Sequence, residues 1–219
     1  MRLHIQLSKN REIVPFNYQE TQVSKLHYWL GKNSVHDSVS LYSFSWLRDG
    51  KALGSKGIEF KNGSKYFISC HDVDLLKQII KSIQDDNVFG YGMVINSLTL
   101  EKEPLFENEN RFQVASPIFI KRLVEGRAKF YYPSDNEANT LLTETLTNKL
   151  KKANINHEGI NVRFDENYQN LVMKGTTYKG IHNKGTICPV IIQGTTEQLA
   201  FAWNVGIGNS TGIGFGSLI

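Results

Sequence analysis

Leu3, Ile5 and Leu7 alternate with Arg2, His4 and Gln6, the two-residue period of a strand with one buried face. After Pro15 the period lengthens. Val23, Leu26 and Leu30 fall three and four positions apart, which predicts a helix over about 20–31 stopped by Gly31. Residues 40–47 alternate serines with large apolar and aromatic groups, a strand pattern, and Asp49-Gly50 supplies a turn before a second strand pair over 57–70. The next helix, over 72–84, opens on Asp72 and carries Val73, Leu76, Ile79, Ile80 and Ile83 as one apolar stripe. A strand over 91–101 follows. Strand, helix, strand, strand, helix, strand is the order of a ferredoxin-like domain, in which two helices cover one face of an antiparallel sheet.

The charged block 101–110, containing Pro104, reads as a linker, and the second half repeats the plan less cleanly. Strand material over 111–123 is interrupted at Pro117, and a helix over about 135–152 is announced by Ser134 and Glu137 as a capping box. Strands near 160–168, 170–181 and 185–193 come next, the last two as a hairpin, then a short helix through Trp203 capped by Thr195 with Gln198. The expected fold is α+β, two tandem ferredoxin-like (βαββαβ) domains over residues 1–105 and 111–219.

The chain ends Gly206-Ile-Gly-Asn-Ser-Thr-Gly-Ile-Gly-Phe-Gly-Ser-Leu-Ile219. Glycine loses more backbone entropy on folding than any other residue, so this density implies close backbone approach or positive φ. A dinucleotide or Walker loop needs a helix directly after the glycines, and too few residues follow Gly216. Gly208-Asn209-Ser210-Thr211-Gly212 matches a hydrolase nucleophile elbow in letters, but no histidine lies beyond His182. What remains is a glycine-rich loop leading into a terminal strand, with amides able to line a phosphodiester backbone.

That ending resembles the C-terminal glycine-rich motif of the CRISPR-associated endoribonucleases that cut precursor CRISPR RNA within its repeats, a family of the repeat-associated RNA-binding superfamily. The opening strand Arg2–Leu7, the stretch Ser116-Pro117-Ile118 and a histidine shortly after the first helix agree with it. The resemblance implies two ferredoxin-like domains and a metal-independent reaction. In that reaction the RNA's own 2′-hydroxyl attacks the adjacent phosphorus, leaving a 2′,3′-cyclic phosphate and a 5′-hydroxyl. It also implies that CRISPR repeat RNA is the partner, alongside other proteins of a CRISPR effector complex, with no cofactor and no membrane, as a monomer or homodimer in a prokaryotic cytoplasm.

Histidine suits the proton transfers, since its unperturbed pKa of about 6.5 leaves both forms available near neutrality. His36 stands in the polar connection Lys32-Asn33-Ser34-Val35-His36-Asp37-Ser38, where the family has its catalytic histidine, and Tyr28 resembles the family's catalytic tyrosine, although it equally suits core packing beside Trp29. Some members add a lysine a few residues after the histidine, but Asp37–Leu41 holds none. Lys51 or Lys56 is then a candidate cation, or His27 the second proton-transfer group, although His27 equally suits packing against the core. The missing lysine also fits an alternative, a non-catalytic RNA-binding subunit of a CRISPR ribonucleoprotein.

Charge adds location more than identity. Lys and Arg number 25 against 21 Asp and Glu, for a net charge of +4, too slight to identify a partner alone. The basic residues gather as Lys121, Arg122, Arg127 and Lys129, and as Lys174, Lys179, His182 and Lys184 around a hairpin with Tyr178 interleaved. With Gly208, Gly212, Gly214 and Gly216, the candidate RNA contacts are Lys121, Arg122, Lys174, Lys179 and Lys184. Lys149, Lys151 and Lys152 close a helix and read as structural. Cys70 and Cys188 lie far apart, against a disulfide scaffold or thiolate site and for a reducing compartment, and the sequence contains no stretch apolar enough to span a bilayer. His71, Asp72 and Asp74 could chelate an ion, but Asp72 is taken by a helix start, so no metal is expected.

Overall fold

β1 (Arg2–Leu7) lies at the centre of the first sheet, its Leu3, Ile5 and Leu7 buried. The computed structural model describes residues 1–31 and 39–219. After β1 come α1 (Gln19–Leu30), β2 (Tyr42–Phe44), a small hairpin of β3 (Lys51–Ala52) and β4 (Ile58–Glu59), β5 (Ser64–Cys70), α2 (Val73–Asp85), β6 (Val88–Gly90) and β7 (Met93–Glu101). The antiparallel sheet runs β2-β5-β1-β7-β6. Its four principal strands therefore stand in ferredoxin-like order, with β6 added at one edge. Asp72 caps α2 by accepting the Asp74 amide at 2.8 Å, and Leu76, Ile79 and Ile83 turn inward. Each fully buried side chain of this size contributes about 1.5–3 kcal/mol.

The second half contains β8 (Glu109–Phe112), a hairpin of β9 (Ile120–Val124) and β10 (Arg127–Tyr131), and α3 (Ala138–Lys152). Then follow β11 (Asn161–Phe164), a second hairpin of β12 (Val172–Tyr178) and β13 (Ile181–Ile187), β14 (Val190–Gln193), α4 (Thr196–Val205) and a 3-10 turn over Thr211–Ile213. The sheet runs β11-β14-β8. The chain end fills its fourth position: Val114 bridges Leu218, and the Ala115 amide donates to the Ser217 carbonyl at 2.8 Å. Both halves thus carry the ferredoxin-like strand order.

Some details depart from the sequence reading. Residues 57–70 hold no strand pair, since β4 pairs with β3 and β5 with β1 and β2. Ser134 and Glu137 form no capping box; Asp135 accepts the Tyr132 amide at 2.7 Å instead, a local turn that delays the helix to Ala138. The hairpin turns at Lys179-Gly180, so 181–187 pairs with 172–178 and Pro189 separates β13 from β14. At α4, by contrast, Thr195 and Gln198 do make the reciprocal capping box.

One apolar core gathers side chains from Leu3 to Ile95, the other from Phe112 to Leu218. They are joined across the middle. The buried Arg2 guanidinium lies 3.8 Å from the Phe67 ring centre and 3.6 Å from that of Trp203, and donates to the Leu218 carbonyl at 2.7 Å. Trp46 donates to the Gly214 carbonyl at 2.7 Å and Ser43 to the Asn204 carbonyl at 3.0 Å. The glycine-rich loop is therefore wedged between the halves. At Gly216 φ is +63°, and any side chain would collide with the Ile207 carbonyl, so only glycine fits.

Among the described residues no helix is long and apolar enough to cross a membrane, and both cysteines are unpaired and buried.

Candidate functional site

The β12–β13 hairpin leaves its own half of the molecule and leans on α1. The Thr176 hydroxyl donates to Gln19 Oε1 at 2.8 Å, and the Lys179 amide donates to Glu20 Oε1 at 2.8 Å. Lys179 and Gly180 have φ of +48° and +74°, a pair of left-handed residues in a two-residue loop, which is the geometry of a type I′ turn. Gly180→Ala is expected to cost about 1 kcal/mol. No neighbour lies within 4 Å of the added methyl, so the penalty is purely conformational. Equilibrium denaturation measures it, and an unchanged midpoint would contradict this turn geometry.

The docked tip encloses a cleft of about 390 Å³ lined by Glu20, Val23, Ser24, His27, Tyr178 and Lys179. Two halves of the chain thus bring an imidazole, a phenol ring and an ammonium group together over a buried valine. Tyr28, next along α1, is 58% exposed while Trp29 is buried, so Tyr28 is not a core residue. Lys25 Nζ lies 5.4 Å from the Tyr28 ring centre and 3.5 Å from Asp86 Oδ2. His36 lies outside the described residues. Lys51 and Lys56 are exposed, on β3 and in the loop that follows it.

A second cleft, of about 420 Å³, opens where Val39 and Ser40 meet α3 and the glycine-rich loop over Gly208–Thr211. Asn209 orients it. Its Oδ1 accepts the Lys121 amide at 2.9 Å and an Arg122 guanidinium nitrogen at 3.2 Å. Arg122 also donates to Glu144 at 3.1 Å, Thr145 at 3.2 Å and the Leu141 carbonyl at 3.2 Å, so it fastens loop to helix. Beneath the loop, the buried Lys149 ammonium donates to the Val205 and Gly206 carbonyls and to Thr211 Oγ1, each at 3.1 Å. It meets the negative end of α4, not that of its own helix, and burial pushes its pKa down to about 7.

The predicted glycines divide. All four are buried, but only Gly208 lines this cleft, and the Gly214 and Gly216 amides donate to the Thr211 and Pro117 carbonyls. Lys174 and Lys184 are exposed but on opposite faces of their hairpin, since Lys174 stands opposite Gly185 and Lys184 opposite Gly175. Asn209 and Lys149 were not singled out as functional from sequence. For Lys149 a signal existed: it falls three residues after Leu146, on the buried stripe of α3. His71 packs edge-on against Phe201 at 4.9 Å between ring centres, and Asp72 is engaged as a helix cap. Among the described residues no three His, Cys, Asp or Glu side chains are grouped to hold a metal ion.

The family model described as CRISPR associated protein Cas6, C-terminal, matches residues 101–218, more than half of the chain. The chain belongs to the Cas6 family. A relative from Pyrococcus horikoshii, named as a putative CRISPR-associated endoribonuclease-like protein Cas6nc, is 24% identical over 99% of this chain and 98% of its own. Among solved structures, a Cas6-related protein from Pyrococcus furiosus superposes with a TM-score of 0.85 at 20% identity, covering 100% of this chain and 97% of that one. A protein described as a RAMP protein binding different RNA substrates gives 0.84 at 22% identity, covering 100% and 99%. At these identities the structures establish the shared fold, and the Cas6 model establishes the family.

Proposed function

We propose that this Cas6-family protein is an endoribonuclease that binds precursor CRISPR RNA and cuts it within the repeat. Residues 1–105 would supply the proton-transfer groups and residues 111–219 the glycine-rich loop and most of the RNA surface. The observation that carries this reading is the cleft in which α1, with His27 and its neighbour Tyr28, meets the basic tip of the second half's hairpin. The cleavage is a transesterification: the 2′-oxygen forms a bond to phosphorus while the bond to the 5′-oxygen breaks. One group takes the 2′-proton and another protonates the leaving oxygen. We assign His36 to one of these transfers. In sequence it belongs to the polar connection that follows α1.

Purified protein incubated with its cognate repeat RNA in excess EDTA is expected to yield 2′,3′-cyclic phosphate and 5′-hydroxyl ends, and a single 2′-deoxy substitution at the cut is expected to abolish cleavage. Cleavage that survives the deoxy substitution overturns the mechanism. The absence of a lysine from Asp37 to Leu41 favours a second reading, RNA binding without cleavage. Tight association of the wild-type protein with an uncut repeat would decide for it.

A further inference from the structure

The cleavage reading leaves one requirement unmet in the first half of the chain: a cation to offset the negative charge that grows on the phosphate oxygens as the 2′-oxygen attacks. We infer that this cation is Lys179, supplied from the other half by the hairpin tip; the inference rests on the endoribonuclease reading above.

Position and availability together select Lys179. It lines the same cleft as His27, and two hydrogen bonds from the hairpin to consecutive α1 side chains, Gln19 and Glu20, hold it there. The type I′ turn fixes the direction in which the side chain leaves the backbone. The ammonium group lies 5.7 Å from the Tyr178 ring centre, and among the described residues it has no carboxylate within 4 Å. Glu20, which also lines the cleft, has one of its oxygens occupied by the Lys179 backbone amide. Lys25, the alternative cation on α1, is already engaged by Asp86 at 3.5 Å. Lys51 and Lys56 belong to the β3–β4 hairpin and do not line the cleft. Tyr178 adds a ring beside the ammonium group, a surface on which an unpaired base at the cut can stack. In this arrangement the cleft takes its imidazole, His27, from the first half and its charge-stabilising group from the second. The site is complete only while the hairpin is docked.

The test is single-turnover cleavage of the cognate repeat RNA with protein in saturating excess, comparing wild type, Lys179→Gln and Lys179→Arg, with RNA affinity measured in parallel. The glutamine variant is expected to cut about 10²-fold more slowly at saturation. Its affinity should change only by the small amount due to one lost phosphate contact, and arginine should restore most of the rate. If Lys179→Gln weakens binding but cuts at the wild-type rate once saturated, Lys179 is an ordinary phosphate contact and the inference is overturned. A wild-type protein that binds without cutting overturns the cleavage reading and this inference together. A wild type that cuts, with a glutamine variant that cuts equally fast, overturns the inference alone.

Discussion

Single-turnover cleavage of the cognate repeat RNA is expected to fall by about 10²–10⁴-fold in His36→Ala, with RNA affinity essentially unchanged. That range is the usual worth of a positioned general acid or base, and the two-part readout matters. A residue that only binds RNA loses affinity and keeps its saturated rate, whereas a proton-transfer group loses rate alone. A His36→Ala protein that cuts within a few-fold of wild type would move the role to another group. His27, which lines the cleft shared with Tyr178 and Lys179, is then the next histidine to replace.

The second large effect concerns Lys149, which is buried beneath the second cleft and ties the glycine-rich loop to the end of α4. Lys149→Ala is expected to cost on the order of 3–5 kcal/mol, because three buried acceptors lose their donor and three methylenes vacate a packed channel. Relief from burying an ammonium offsets only part of this. Burial also gives the wild type a pH signature. The folded lysine begins to release its proton at about 7, while the unfolded one holds it to its ordinary value of 10.5. Between those values the unfolded state carries the extra proton, so stability from this group rises with pH, by about 1.4 kcal/mol per unit. Lys149→Met keeps most of the volume and removes the titration. Denaturant melts at pH 7 and pH 9 should therefore show the gap between wild type and this variant widening. A constant gap would mean that Lys149 keeps its proton throughout.

Much of the fold could be read from periodicity, and the exceptions have local causes. The alternation in β1 and the stripe of α2 are one-faced patterns, and burial needs nothing more than one face. Thr195 with Gln198 succeeded as a cap and Ser134 with Glu137 did not, because Asp135 offers the backbone a tighter turn at the second site. The expected hairpin, 170–181 with 185–193, puts its turn near 182–184, whereas the chain turns at Lys179-Gly180. Residues 182–184 are instead strand, where β13 crosses Ile118 with a pair of 2.8 Å hydrogen bonds through Thr186.

The site was less legible than the fold for the same reason. The glycine spacing pointed to a loop of close backbone approach and positive φ, which is what 206–216 forms. What it could not disclose is that Gly214 and Gly216 spend their amides within the protein, or that the loop is propped from below by a lysine belonging to another helix. Likewise, Lys179 and His27 are far apart along the chain, and no local pattern relates them. Only the tertiary path of one hairpin across to α1 does so.

The late placement of the strand that completes the second sheet bears on how the protein is made. Ser116 and Ser217 share a hydroxyl contact 2.9 Å long across 101 positions of sequence, and the neighbouring backbone bonds close the sheet there. During synthesis, β8 and the residues after it emerge with a bare edge that stays open until nearly the whole second half has been translated. The first half meets its complement equally late, since the loop that covers Phe44 and Trp46 belongs to the same closing segment. A chain lacking residues from 214 onward would therefore have an open sheet edge beside β8 and uncovered apolar side chains at Phe44 and Trp46. The closure of the second sheet and the cover over Phe44 and Trp46 thus depend on one short segment, 214–219.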